Sequence, residues 1–231
     1  LIFVDTNAQA EYYHNTFGIS LDKMKRVFVG CDEVLFHPLP EKPESCVVLY
    51  YCSYLPLHGV DVVVEAAKLL QTESPIRFKI IGRGIEFGKI QRLVQERQVY
   101  NVELAAPVAV EQLPFEIQDS IICLGGHFGA SSKACRVIPG KVFQMIAMGK
   151  PVIVGDNAAN RELLTHQVDS WFCEMNNPEA LANAVSVLYH NKALRSQIAG
   201  GALKTYQREA NSELLKSIVQ NSIIDALDFY E

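Results

Sequence analysis

Short β-branched runs alternate with longer amphipathic stretches along most of this chain, and that rhythm constrains the fold more than any other feature. A strand, a helix and a second strand in succession cannot close as a tight hairpin. They pair in parallel through a right-handed crossover. The strings Cys46–Cys52, IRFKIIG, NVELA, SIICLGG, PVIVGD and SWFCE read as strands of this kind. Between them Gly59–Gln71 places Val60, Val63, Val64 and Ala67 on one helical face. Further helices are expected over Glu86–Arg97, Val110–Ile117, Pro139–Met148 and Asn160–Thr165. Pro139 suits a first helical position and Gly149 the left-handed residue past a helix end. Asn177, Pro178 and Glu179 supply a cap, a first-turn proline and a favourable acid for a tail of three helices. The expected fold is therefore α/β, a doubly wound parallel sheet of about six strands (Rossmann-like), with an all-helical C-terminal tail.

The segment before Cys46 reads differently. LIFVD is expected as a buried strand, Ala8–Phe17 as a short helix and KRVFVG as a second strand. Three prolines in HPLPEKPES mark a linker. The division that follows is 1–38 as the strand-helix-strand remnant of another domain, 39–45 as linker, 46–176 as the Rossmann-like domain and 177–231 as C-terminal helices. The chain begins at Leu1 rather than Met, so it reads as an excised part with room upstream for a targeting signal. The last helix, over 211–231, is expected to cross towards the absent domain.

Net charge of −5 gives no basic surface, so nucleic acid is not expected as a partner. No apolar run approaches the ~20 residues of a membrane-spanning helix. Six cysteines without a C-x-x-C pair read as buried reduced thiols. A cytoplasmic location is expected, with peripheral attachment at the inner face of the membrane as a further possibility.

Ligands of doubly wound sheets sit beyond the carboxyl ends of the strands. That rule singles out the loops 53–58, 82–88, 105–110, 125–141 and 155–160. The glycine-rich stretch from Gly125 leads into a helix start and carries Lys133, Arg136 and Lys141. Free N–H groups, a positive helix end and added cations make a phosphate site. Gly82, Arg83, Gly84 and Gly88, with Glu103 further on, form a rival dinucleotide fingerprint, though a tight turn touching phosphate or sugar fits that position better. Ser53 and His58 line the loop after the first strand of the main domain, and Glu162 stands where a sugar hydroxyl could be accepted.

These strings resemble the C-terminal domain of the group 1 (family 4-like) retaining glycosyltransferases, which have the B-type architecture of two Rossmann domains. VGCDEVLFHP resembles the segment entering the inter-domain linker, PLHGVDVVVEAAKLL the first phosphate loop and helix, and FKIIGRG the second strand and turn. RVIPGKVFQMIAMGKPVIVGD resembles the central donor motif. The resemblance implies a nucleoside-diphosphate-sugar donor bound by Ser53, His58, Gly82, Gly84, Val108, Gly140, Val142, Gln144 and Glu162, with Lys133, Arg136 and Lys141 carrying catalysis. It implies no metal or other cofactor, and a glycan or lipid-linked acceptor held through the absent N-terminal domain, so that the part alone is inactive.

Two departures stand out. Ser53 and His58 occupy the arginine and lysine positions of the first loop, and Arg136 and Gln144 the two glutamates of the donor motif. Either the charge has moved to Lys133, Arg136 and Lys141, with Gln144 holding the ribose, or the site is degenerate and the protein a non-catalytic nucleotide-sugar binder. An NAD-binding enzyme is the third reading. The run KACRVIPGK also resembles a pattern in family members that look like active enzymes, which favours relocation.

Overall fold

The computed structural model describes residues 1–40, 42, 44–72 and 75–228. Glu41 and Pro43 of the expected linker, and the last three residues, lie outside that set.

The expected doubly wound sheet is present. Its strands are β3 (Val47–Tyr51), β4 (Arg77–Ile81), β5 (Val102–Ala105), β6 (Ile122–Gly126), β7 (Val152–Gly155) and β8 (Trp171–Cys173), all parallel in the order β5-β4-β3-β6-β7-β8. The order reverses between β3 and β6, the switch point at which sheets of this kind bind their ligands.

Alternation along the strands splits the core into two layers. Val48 and Tyr50 face one side with α2 (Val60–Leu69), α3 (Phe87–Glu96) and α7 (Pro178–His190). Leu49 faces the other, with α4 (Leu113–Gln118), α5 (Gly140–Ala147), α6 (Ala158–Arg161) and Tyr206 of α8 (Lys192–Glu209). In α2 the valines are buried all round because both the sheet and α7 cover them. The tail is helical as expected, ending in α9 (Ser212–Asp228).

Residues 1–26 form a small separate unit, with β1 (Ile2–Val4) parallel to β2 (Met24–Arg26) and α1 (Asn7–Phe17) between them. Three expectations need correcting here. LIFVD is not a buried strand, since Ile2 and Phe3 are 37% and 40% exposed and β1 has one partner. KRVFVG pairs only as far as Arg26. Pro139 is the cap of α5 rather than its first residue, with ψ at 132°. The cysteines also divide: Cys123 and Cys173 are buried, Cys31, Cys46 and Cys52 are half-buried and Cys135 is exposed, all as free thiols.

The loops at the carboxyl edge are pressed together backbone to backbone. A Cβ on Gly84 would lie 1.7 Å from the Ser53 carbonyl oxygen, and one on Gly82, with φ at 138°, would lie 1.9 Å from that of Cys52. These two glycines let the turn after β4 dock on the loop after β3. We expect Gly84→Ala to cost ~2–4 kcal/mol of stability, read as a lowered urea midpoint with an unchanged m-value.

Candidate functional site

At the switch point, β3 ends in Tyr50 and Tyr51, β6 runs into His127, and α5 begins below them. Lys141 lies in the first turn of α5. Its ammonium is buried with no hydrogen-bond partner, although the side chain as a whole is only half-buried. The Nζ sits 4.2 Å from the centroid of the Tyr50 ring and 5.8 Å from that of Tyr51. Burial brings its pKa down from 10.5 to about 8, against the opposing pull of the Cys52 thiol. Facing aromatic rings offset part of that cost, ~2 kcal/mol or more for a desolvated cation. Such a cation lacks only an anion.

One turn further along α5, Gln144 accepts a hydrogen bond from the Tyr51 hydroxyl at 2.7 Å, which fixes its carbonyl oxygen and leaves its amide free to donate. Gly140 and Lys141, as the first residues of α5, have no acceptor within the helix for their N–H groups. Val142 is fully buried and its N–H is taken by the Pro139 carbonyl at 2.8 Å.

His58 is not a surface histidine. It is 8% exposed, its ring stacks on that of His127 at 5.3 Å, and its Nδ1 accepts the Leu55 N–H at 3.2 Å. A neutral ring that accepts at Nδ1 carries its proton on Nε2, so His58 supplies an uncharged donor where the resemblance leads one to look for a lysine. Burial, reinforced by the Lys141 charge, lowers its pKa to about 4 and that of His127 to about 3.

The other sequence candidates lie elsewhere or are engaged. Ser53 is exposed, and Lys133 is exposed on the loop before α5, its charge felt by His127. Val108 is half-buried beyond β5, packed on the core layer under α5. Gly82 and Gly84 serve the backbone contact described above. Between them Arg83 donates to the Gly82 and Ala105 carbonyls and covers the Phe87 ring at 3.9 Å. Glu103 lies within β5, opposite Lys79 in the strand register, while Lys79 makes its ion pair with Glu116.

Arg136 and Glu162 are both bound to the 1–26 unit. The Arg136 guanidinium lies 3.7 Å over the Tyr12 ring and donates to Gln9 and Ser132 at 3.0 Å each. Glu162 accepts the Asn7 and Ala8 N–H groups at 2.7 and 2.9 Å, capping α1, and pairs with Arg26 at 3.4 Å. Thr6 Oγ1 completes this seam with a bond to the Arg136 carbonyl.

His127, Tyr50 and Tyr51 were not among the sequence candidates. His127 lay inside a loop marked for inspection, but the tyrosines carried only a strand signal. A cleft of about 550 Å³ runs between Asn7, Met24–Arg26 and Ile218–Asp225, away from Lys141. The buried charge without a partner lies at Lys141 rather than in that cleft. Among the described residues no three His, Cys, Asp or Glu side chains gather as metal ligands, and no helix is long and apolar enough to cross a membrane.

Comparison with known proteins decides the family. The family of glycosyl transferases group 1 matches residues 32–205, about three quarters of the chain. The chain belongs to this family. An uncharacterized glycosyltransferase of Methanocaldococcus jannaschii is 23% identical over 159 residues, covering 65% of this chain and 40% of that protein. Among solved structures, Anabaena HepE in complex with UDP and glucose superposes with a TM-score of 0.80 at 16% identity, over 99% of this chain and 62% of its own. Sucrose-phosphate synthase from Thermosynechococcus elongatus gives 0.76 at 18%, over 99% and 58%. The pneumococcal O-GlcNAc transferase GtfA, in complex with UDP and GlcNAc, gives 0.75 at 15%, over 97% and 45%. At these identities the structural likenesses establish the fold alone. This group 1 chain thus spans 40–62% of the length of these relatives.

Lys141 makes a signed prediction about stability. Its folded pKa is below its unfolded value, so the unfolded chain binds the extra proton between pH 8 and 10.5 and stability rises with pH across that window. Lys141→Met should therefore stabilise the protein at pH 7 by ~1–3 kcal/mol, or ~2–8 °C in Tm, an advantage that fades by pH 10.5 in a thermal melt. Glu162→Ala should instead cost ~1 kcal/mol and speed amide exchange at Asn7 and Ala8.

Proposed function

We propose that this group 1 chain is the donor-binding half of a glycosyltransferase. The full protein would transfer a sugar from a nucleoside-diphosphate sugar to an acceptor hydroxyl, with retention at the anomeric carbon. The observation that carries this reading is the buried, unpartnered Lys141 ammonium at the start of α5, on the switch point of the sheet. Support comes from the family and from the UDP bound in the structures of HepE and GtfA, proteins of the same fold.

In this reading the donor diphosphate lies between the His58–His127 pair and the N-terminal turn of α5. Lys141 neutralises the leaving diphosphate as the glycosidic bond breaks, where charge develops and water is excluded. The free N–H groups of Gly140 and Lys141 add dipolar stabilisation. Gln144, fixed by Tyr51, takes a ribose hydroxyl, and Val108 and the Gly82–Gly84 turn border the base. Lys133 reaches the phosphates from its exposed loop. Arg136 joins them by leaving Tyr12 and Gln9, and Glu162 meets the sugar only where α1 releases its carboxylate. Cations supply the charge stabilisation, and no metal is assigned. The acceptor, a glycan or lipid-linked sugar, binds through the rest of the protein beyond this chain. A cytoplasmic setting, where sugar nucleotides are made, suits the reading.

The uncharged Ser53 and His58 favour a second reading, a nucleotide-sugar binder without turnover. Thermal-shift titration with UDP-, GDP-, ADP- and TDP-sugars, alongside NAD and NADP, tests both. We expect one nucleoside-diphosphate series to raise Tm and Lys133→Ala/Lys141→Met to abolish the shift. A well-folded chain that responds only to NAD, or a double variant with unchanged affinity, contradicts the placement. Transfer activity in the full-length protein separates enzyme from binder.

A further inference from the structure

Five buried side-chain atoms among the described residues lack a hydrogen-bond partner, and two of them share the switch point: Lys141 Nζ and His127 Nδ1. The rest belong to Asn101, Asn160 and Ser170. An orphaned buried polar atom costs ~1–3 kcal/mol, so a ligand that satisfies two such neighbours at once gains doubly.

The His127 ring has no freedom to find a partner by turning away. It is 5% exposed and lies flat against His58, at 20° between planes. Its own carbonyl oxygen is packed so tightly that a Cβ on Gly155 would lie 2.2 Å from it. On the side of β3, the Tyr50 hydroxyl donates to the His58 carbonyl at 2.7 Å while its ring faces Lys141. Burial above all keeps the His127 imidazole neutral, reinforced by Lys141, His58 and Lys133, the charged or titratable groups that act on it.

A neutral imidazole whose Nδ1 stands free beside an ammonium can do one of two things. As an acceptor it would receive a hydrogen bond from the Lys141 ammonium, and no such bond is formed. As an Nδ1–H tautomer it donates, and both groups then ask for the same acceptor. We propose that His127 is a donor-positioning residue, whose neutral Nδ1–H gives a hydrogen bond to the phosphate oxygens that Lys141 neutralises. The inference rests on the diphosphate reading of the Lys141 seat. It gives the seat one buried charge and two uncharged imidazole donors, His127 through Nδ1 and His58 through Nε2.

Inorganic pyrophosphate is the probe, since it needs no knowledge of the base. Calorimetric titration of the whole chain should show affinity falling about 10–100-fold in His127→Leu and largely recovering in His127→Asn, which restores an N–H donor near the same place. In imidazole 15N spectra of the unsubstituted protein at pH 7.5, saturating pyrophosphate should shift the protonated Nδ1 resonance of His127 while the ring stays neutral. That spectrum decides the matter even where His127→Leu fails to fold. An unmoved Nδ1 resonance, or an unprotonated Nδ1 in the bound state, overturns the proposal. Loss of binding in Lys141→Met with none in His127→Leu sinks the His127 role and spares the diphosphate seat. Unchanged pyrophosphate binding in both variants overturns the seat as well.

Discussion

Placing an ammonium group out of water with no counter-charge is among the more expensive things a fold can do, and the carboxyl edge of this sheet is arranged around one. Lys141 survives there because the faces of Tyr50 and Tyr51 attract it and because α5 holds its backbone in the first helical turn. The neighbouring imidazoles are neutral in consequence, since burial and the lysine both disfavour their protonation. A core residue chosen for packing would be Met or Leu. An unsatisfied cation that lowers stability is instead the signature of a site built for something absent from the chain itself.

The geometry that makes this possible is carried by backbone rather than by side chains. The loops after β3, β4 and β6 approach so closely that ordinary residues cannot be accommodated at Gly82 and Gly84, or where Gly59 meets Gly129. Close approach removes water from the switch point, which strengthens every electrostatic contact within it. A second set of contacts, from Arg136 and Glu162, ties the 1–26 unit to the same edge. Two charged residues that flank the site are therefore spent on holding two parts of the chain together, and movement of the 1–26 unit would free them.

The strand-helix alternation made the sheet legible in advance, because β3, β6 and β7 are short apolar runs buried along nearly their whole length, as strands covered on both faces must be. The small N-terminal unit was misread because LIFVD is apolar for reasons that its own short pairing does not reveal. The site was legible only in part. Lys141 followed from a glycine-rich loop leading into a helix, a local signal. His58 was seen as a loop residue and turned out to be buried, since its cover comes from His127, almost seventy positions away. Glu162 and Arg136 looked like ligand groups on type alone, and their partners Asn7, Ala8, Gln9 and Tyr12 lie more than 120 positions off in sequence. Such long-range pairings leave no periodic trace. The family resemblance located the donor motif, yet the substituted positions 53, 58, 136 and 144 are the ones where a family pattern cannot say what the chemistry has become.

In the proposed function Lys141 receives the diphosphate of a sugar donor. The most direct test is the titration of its Nζ, followed by NMR in the chain labelled at lysine, with and without saturating inorganic pyrophosphate. Without the ligand the ammonium should titrate near pH 8, well below an ordinary lysine. With it, the bound anion should restore the charged form and return the titration to 10 or above, by about two pH units or more. A Lys141 titration that pyrophosphate leaves in place would contradict the account.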